Sequence, residues 1–192
     1  MLRQNSIKSL ASAVEASEAN DNASEIEKLS GSFIVAVKEH TRGFQETNVN
    51  VTKAIMEFFI TICDYHYQCT YPLMSWAMSD AATLAVEKLA DKKLSALGKG
   101  LLSSLCTVCF PHTVVSTVSA RIEHARSPIA HEECQNWFRA FCNDFGAASL
   151  GNGIKDIVPW LLKVRHHCFN IICWFWACRR TITQIACLLL NP

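Results

Sequence analysis

The chain has 192 residues, the size of one domain, since domains run to roughly 100–200 residues. Half of them are hydrophobic and 18% are charged, which excludes general disorder; 7 Gly and 5 Pro are too few for an all-β chain full of tight turns. The 18 basic and 17 acidic residues leave a net charge of +1, without the basic excess of a dedicated nucleic-acid binder.

Taken in chain order, the stretch from Met1 to Asn22 is rich in Ala, Ser and Glu and holds no apolar run of the kind a signal peptide needs, so none is expected. Helices are expected near 5–17 and 25–39. Asn48 is placed to cap a third, near 47–64, whose stripe is Val51, Ile55, Phe58, Phe59 and Ile62. Residues 66–78 read as an insertion, after which Ser79 or Asp80 caps a helix running from about 80 to Ala90. Leu94, Leu97, Leu101, Leu102, Leu105 and Val108 form the stripe of the next, near 94–109.

Phe110-Pro111-His112 then breaks the pattern, because Pro disfavours helix in the residue before it. Val114, Val115, Val118 and Ile122 mark a helix near 113–124. Ser127-Pro128 reads as an N-cap with Pro at the first helical position, opening a helix near 129–145 on the stripe Cys134, Trp137, Phe138, Phe141 and Phe145. Gly146 is suited to a left-handed cap, Gly151-Asn152-Gly153 opens the next connection, and a further helix is expected near 153–163. No stretch alternates with period two. The fold class is all-α: an α-solenoid of HEAT-like helical hairpins, with turns near Lys92, Arg126 and Arg165 separated by 34 and 39 residues, close to the roughly 40 of a HEAT repeat. A four-helix bundle is the rival architecture, but it needs fewer and longer helices.

In such a solenoid the turns within hairpins line one edge and the turns between hairpins the other. Within the first, Lys38, Glu39, Arg42 and Glu46 balance. Asp91, Lys92 and Lys93 leave one positive charge, as do Arg121, Glu123 and Arg126, and Lys163 with Arg165 adds two. His40, His124, His131, His166 and His167 lie beside them. The other edge carries Glu18 and Asp21 and no charge in 66–78, 110–112 or 146–152. One edge is therefore mildly basic, suited to steering towards an acidic surface, although lysines and arginines also decorate solvated turns for no other purpose.

Three segments resemble a known family. Gly43-Phe44-Gln45-Glu46-Thr47-Asn48-Val49-Asn50-Val51 is close to the stretch that opens a helix in a middle TOG domain of the microtubule polymerases. Leu89-Ala90-Asp91-Lys92-Lys93 is similar to that family's Asp-Lys turn. Glu133 to Gly146, with Trp137 and Asn143-Asp144-Phe145-Gly146, resembles its Glu-x-x-x-Trp helix and Phe-Gly cap. The similarity runs in order over about 5–165, the insertion apart. It implies a paddle of HEAT repeats whose intra-hairpin turns bind αβ-tubulin: His40, Arg42 and Gln45 on the second turn, Lys92 and Lys93 on the third, Arg126 and Ser127 on the fourth, and Lys163 and Arg165 on the fifth. It also implies a microtubule-associated, cytoplasmic protein without catalysis or cofactor. The chain departs from the family in lacking a first-turn Trp and a sixth repeat, and so resembles a truncated TOG domain over 1–165. The alternative is a generic HEAT/armadillo interaction scaffold with a partner other than tubulin.

Residues 166–192 differ in composition, with Cys168, Cys173, Cys178 and Cys187, two Trp and no acidic residue. The apolar run from Cys168 to Cys178 is too short to span a bilayer, which takes about 20 residues. The readings are an atypical final helix capping the solenoid, a membrane-associated amphipathic tail, or an end unrelated to the domain. Most of the 10 cysteines fall at helical spacing in apolar segments, as small buried hydrophobes in a reducing compartment. Cys106-x-x-Cys109 lacks a second pair for zinc, and His166-His167-Cys168 puts three adjacent side chains in different directions, so no metal site is expected. No nucleophile, phosphate-cradling or paired-carboxylate motif stands out, and an enzyme is not expected.

Overall fold

The computed structural model describes residues 2–16, 22–146 and 149–150. Every regular element among them longer than a single turn is an α-helix: α1 (Leu2–Glu15), α2 (Ala23–His40), α3 (Val49–Gln68), α4 (Ser75–Lys88), α5 (Ser95–Val108), α6 (Pro111–Ile122) and α7 (Pro128–Phe145). The helices expected at 153–163 and in the tail lie outside the described residues, as do Lys163, Arg165 and the His166-His167-Cys168 group.

Packing follows the apolar stripes. Val51, Ile55, Phe58, Phe59 and Ile62 of α3 are all buried, as are Leu101, Leu102 and Leu105 of α5, Val114, Val115, Val118 and Ile122 of α6, and Cys134, Trp137, Phe138 and Phe141 of α7. Burying these faces is the main favourable term, roughly 1.5–3 kcal/mol for each large side chain. The faces meet in alternation: α1 packs on α3, α3 on α5 and α5 on α7, while α4 packs on α6. Odd helices make one layer and even helices the other, the arrangement of a helical solenoid. Between the layers α4 and α5 lie closest, and Gly98 is the reason. A Cβ there would stand 3.2 Å from the Ala85 carbonyl oxygen and 3.5 Å from Leu89 and Met56.

Local signals set most boundaries. Asn48 caps α3 by accepting the amide hydrogens of Asn50 and Val51, and Ser127 caps α7 through Ala130 N–H with Pro128 following. Pro111 begins α6 two residues earlier than the periodicity suggests, since a first-turn proline forfeits no helical hydrogen bond. Gly146 has the expected positive φ of 75°, but its ψ of 151° makes it an extended, glycine-only corner and not a left-handed cap.

The 66–78 insertion is a correction. Helix α3 continues to Gln68 and α4 already begins at Ser75, so the extra residues lengthen two helices and leave a short connection at 69–74. Ser79 and Asp80 do not cap α4 but sit inside it. The Ser79 carbonyl accepts from Thr83 Oγ1, and Asp80 turns outward to Lys38 of α2 at 2.6 Å. Ala77, Met78, Ala81 and Ala82 are buried, so the apolar face of α4 reaches further back than its capping residues implied. Its N-cap, Met74, offers no side-chain hydrogen bond, which is why the start was hidden.

Candidate protein-binding edge

The three described turns that follow even-numbered helices are built differently, yet each holds a cation outward. In the first, α2 ends at Thr41, whose buried hydroxyl donates to Val37 O at 2.7 Å. Gly43 N–H reaches back to Lys38 O at 2.9 Å, closing the helix with Arg42 in the left-handed position at φ 53°. Phe44 also has positive φ, 69°, and drops its ring into the core edge-on to Phe59 at 5.2 Å, with Lys38 Nζ 6.0 Å from its centroid. Arg42, Gly43 and Phe44 thus form a run of three left-handed residues, two of them carrying a Cβ penalty of roughly 1–2 kcal/mol each. The buried Phe44 ring holds the turn in that shape, and the exposed Arg42 is what the shape presents.

Glu46 then ties the turn together. Its Oε1 accepts from Thr47 and Asn48 N–H, its Oε2 from Arg3 at 3.2 Å, and its carbonyl from Lys88 Nζ at 3.4 Å. The Asn48 amide, with the Thr47 amide and Arg3 adding to it, holds the Glu46 carboxyl below its ordinary range against the opposing cost of burial. In the second turn Leu89 and Leu94 are buried, and the carboxylate of Asp91 accepts Lys93 N–H at 2.8 Å, leaving Lys92 and Lys93 in solvent. In the third, Ser127 caps α7, His131 Nε2 bonds Ala125 O at 2.9 Å, and Arg126 is exposed.

The turns are contiguous. Lys88 links the first to the end of α4, where the second begins. A groove of about 260 Å³ lined by Leu89, Ala90, Lys92, Ser95, Ala96, Lys99, Ile129 and Glu133 joins the second to the third. On its floor Glu133 Oε2 accepts both Lys99 Nζ at 2.5 Å and Ser95 Oγ at 3.1 Å, and the lysine above all draws the Glu133 carboxyl below its usual range.

Of the residues picked out from the sequence, His40, Arg42, Gln45, Lys92, Lys93 and Arg126 are exposed on this edge, and Ser127 is half-buried because it caps α7. Arg42, Lys92, Lys93 and Arg126 have no ion-pair partner among the described residues. Lys38 does not add to the edge's free charge, since Asp80 pairs with it. Sequence reasoning missed Ile129, Lys99 and Glu133 as a group. Ile129 and Glu133 are one turn apart on α7, but Lys99 lies 30 or more residues before them on α5, and the three meet only because α5 packs on α7.

Among the described residues, the opposite edge carries no charged side chain in its turns at 69–74 and 109–110. Its exposed large side chains are Tyr67 at the end of α3, Trp76 at the start of α4 and Phe110 between α5 and α6. Beneath them His66 is fully buried, its Nδ1 3.1 Å from Tyr71 O and its Nε2 3.0 Å from Ser30 Oγ. Burial pushes the His66 pKa down from its ordinary value. The α3 end here repeats the device of the first turn. Thr70, at φ 54°, takes the left-handed position while Tyr71 N–H bonds His66 O and Thr70 N–H bonds Tyr67 O.

Cys106 and Cys109 are free thiols whose pKa values burial raises to about 12 and about 11, which keeps them protonated and unreactive. No cluster of three or more metal-ligating side chains occurs among the described residues, and no described helix is long and apolar enough to cross a membrane.

Comparison with known proteins gives one informative match. The chain is 26% identical over 117 residues to Centrosomal protein 224 of Dictyostelium discoideum. The match covers 61% of this chain and 6% of that protein, so the chain spans a small fraction of its relative's length. No protein-family model matches the chain, and no solved structure matches it significantly.

Proposed function

We propose that the chain is a non-catalytic tubulin-binding module of the TOG type, working with microtubules in the cytoplasm, at the spindle or centrosome. The observation that carries this reading is the contiguous edge on which Arg42, Lys92, Lys93 and Arg126 stand exposed without ion-pair partners among the described residues. Such an edge steers an acidic protein surface into register, and αβ-tubulin is the partner that the resemblance over 5–165 implies. The similarity to a protein named as centrosomal supports the same setting.

The test is reversal of Lys92 and Lys93 to Glu, two exposed turn residues whose side chains make no ion pair among the described residues. Co-elution with soluble tubulin at low salt falls at least tenfold while helicity is unchanged. Co-elution equal to the parent chain's refutes the reading. The exposed aromatic edge, Tyr67, Trp76 and Phe110, favours a second one: a helical-repeat scaffold that engages a protein other than tubulin through that edge.

A further inference from the structure

The groove between the second and third turns adds something that a row of cations does not. At about 260 Å³ it falls short of the roughly 300–1,000 Å³ of small-molecule clefts, and is the size for one inserted side chain. Its character is divided. Ala90, Ala96 and Ile129 supply the exposed apolar lining, Leu89 being fully buried, and Ile129 is 48% exposed, one of five large hydrophobic residues so placed among those described. The polar floor is already balanced, since Glu133 is shared between Lys99 and Ser95. The uncompensated charge is at the lip: Lys92 lines the groove, and Lys93 and Arg126 stand on the turns to either side.

A slot of mixed lining, with one apolar wall at Ile129, a neutral floor and a cationic lip, selects a particular ligand chemistry. A basic segment is repelled at the lip. A purely acidic one gains nothing from Ile129 and leaves the slot unfilled. We infer that the groove receives an apolar side chain flanked by carboxylates on the partner protein, with Ile129 as the apolar contact and Lys92, Lys93 and Arg126 meeting the flanking acids. The identity of the partner rests on the tubulin-binding reading; the chemistry of the groove does not.

Two measurements on the full chain separate these. Against purified αβ-tubulin, Ile129→Ala weakens binding roughly tenfold at both low and high salt, because the lost contact is apolar, whereas Lys92→Ala weakens it mainly at low salt. Ile129→Ala binding tubulin as tightly as the parent overturns the inference. If the parent chain binds no tubulin, the proposed function falls and the groove is decided by peptides. The probe is then a Glu-Glu-Leu-Glu-Glu peptide followed through the amide signals of Ala96, Lys99 and Ile129, with Glu-Glu-Gly-Glu-Glu as control. Saturable shifts with the leucine peptide only, lost in Ile129→Ala, sustain the groove's role. Equal shifts with both peptides, or none with either, overturn it. Ile129 is half in solvent, so the alanine variant keeps its fold, which unchanged helicity verifies.

Discussion

The two edges of this solenoid end their helices with the same backbone device and put it to opposite use. At Arg42 a left-handed residue closes α2 and holds a guanidinium in solvent, and at Thr70 a left-handed residue closes α3 above a buried histidine. On the first edge the bonds converge on a carboxylate, Glu46, and the exposed side chains are cations. On the second they converge on a neutral imidazole, His66, and the exposed side chains are aromatic. The lesson is that strain at a helix end does not by itself mark function; the side chain that the strain presents does.

The comparison breaks most sharply at Phe44. Its ring is the reason the Arg42 turn holds its shape, so Phe44→Ala costs about 3–5 kcal/mol in urea unfolding, the usual range for a buried phenylalanine. A cost under 1 kcal/mol means the turn does not depend on the ring.

Acid separates the edges next. His66 is held neutral by burial, while in the unfolded chain it takes up a proton near 6.5. Below that value the unfolded state binds more protons than the folded one, so stability falls as pH drops from about 6.5 through the lowered folded value. Glu46 and Glu133 have folded values below 4.5, so their contribution is intact above 4.5 and lost only as pH falls through those lower values. The aromatic edge therefore loosens first and the cationic edge second. His66→Gln removes the upper part of the decline; a pH profile unchanged between about 7.5 and 5.5, roughly one unit either side of an ordinary histidine, rules this out.

The Glu133 cluster is smaller. Glu133→Ala frees a part-buried Lys99 and costs about 1 kcal/mol, read as a lower denaturation midpoint at unchanged slope. The finest test sets the two left-handed residues against each other. Arg42→Gly and Thr70→Gly each raise stability by roughly 1 kcal/mol, by removing a Cβ penalty. On the proposed tubulin-binding reading, only Arg42→Gly weakens binding to tubulin, by two- to fivefold for about 0.5–1 kcal/mol from one screened charge. Equal loss in both variants makes the effect one of turn shape and not of charge.

Much of this was legible in the sequence. The stripes of α3, α5, α6 and α7 named the core almost side chain by side chain, and the Asn48 and Ser127 caps are where side-chain chemistry places them. The start of α4 was not legible, because Met74 carries no capping group while Ser79 and Asp80, which look like caps, are bonded within and across helices. Nor were the left-handed Phe44, the Ser30–His66 bond spanning α2 and α3, or the pairing that removes Lys38 from the free charge of the edge.

Helical class, stripe and cap are settled over three to eight residues, within reach of a 3.6-residue period and of a side chain folding back on its own backbone. The sequence therefore determined them alone. Which cations stay free, which histidine is buried and where Ile129 finds Lys99 depend on contacts 30 to 45 residues apart. Those are fixed by how closely one helix layer sits on the next, set at places such as Gly98, and only the tertiary structure decided them.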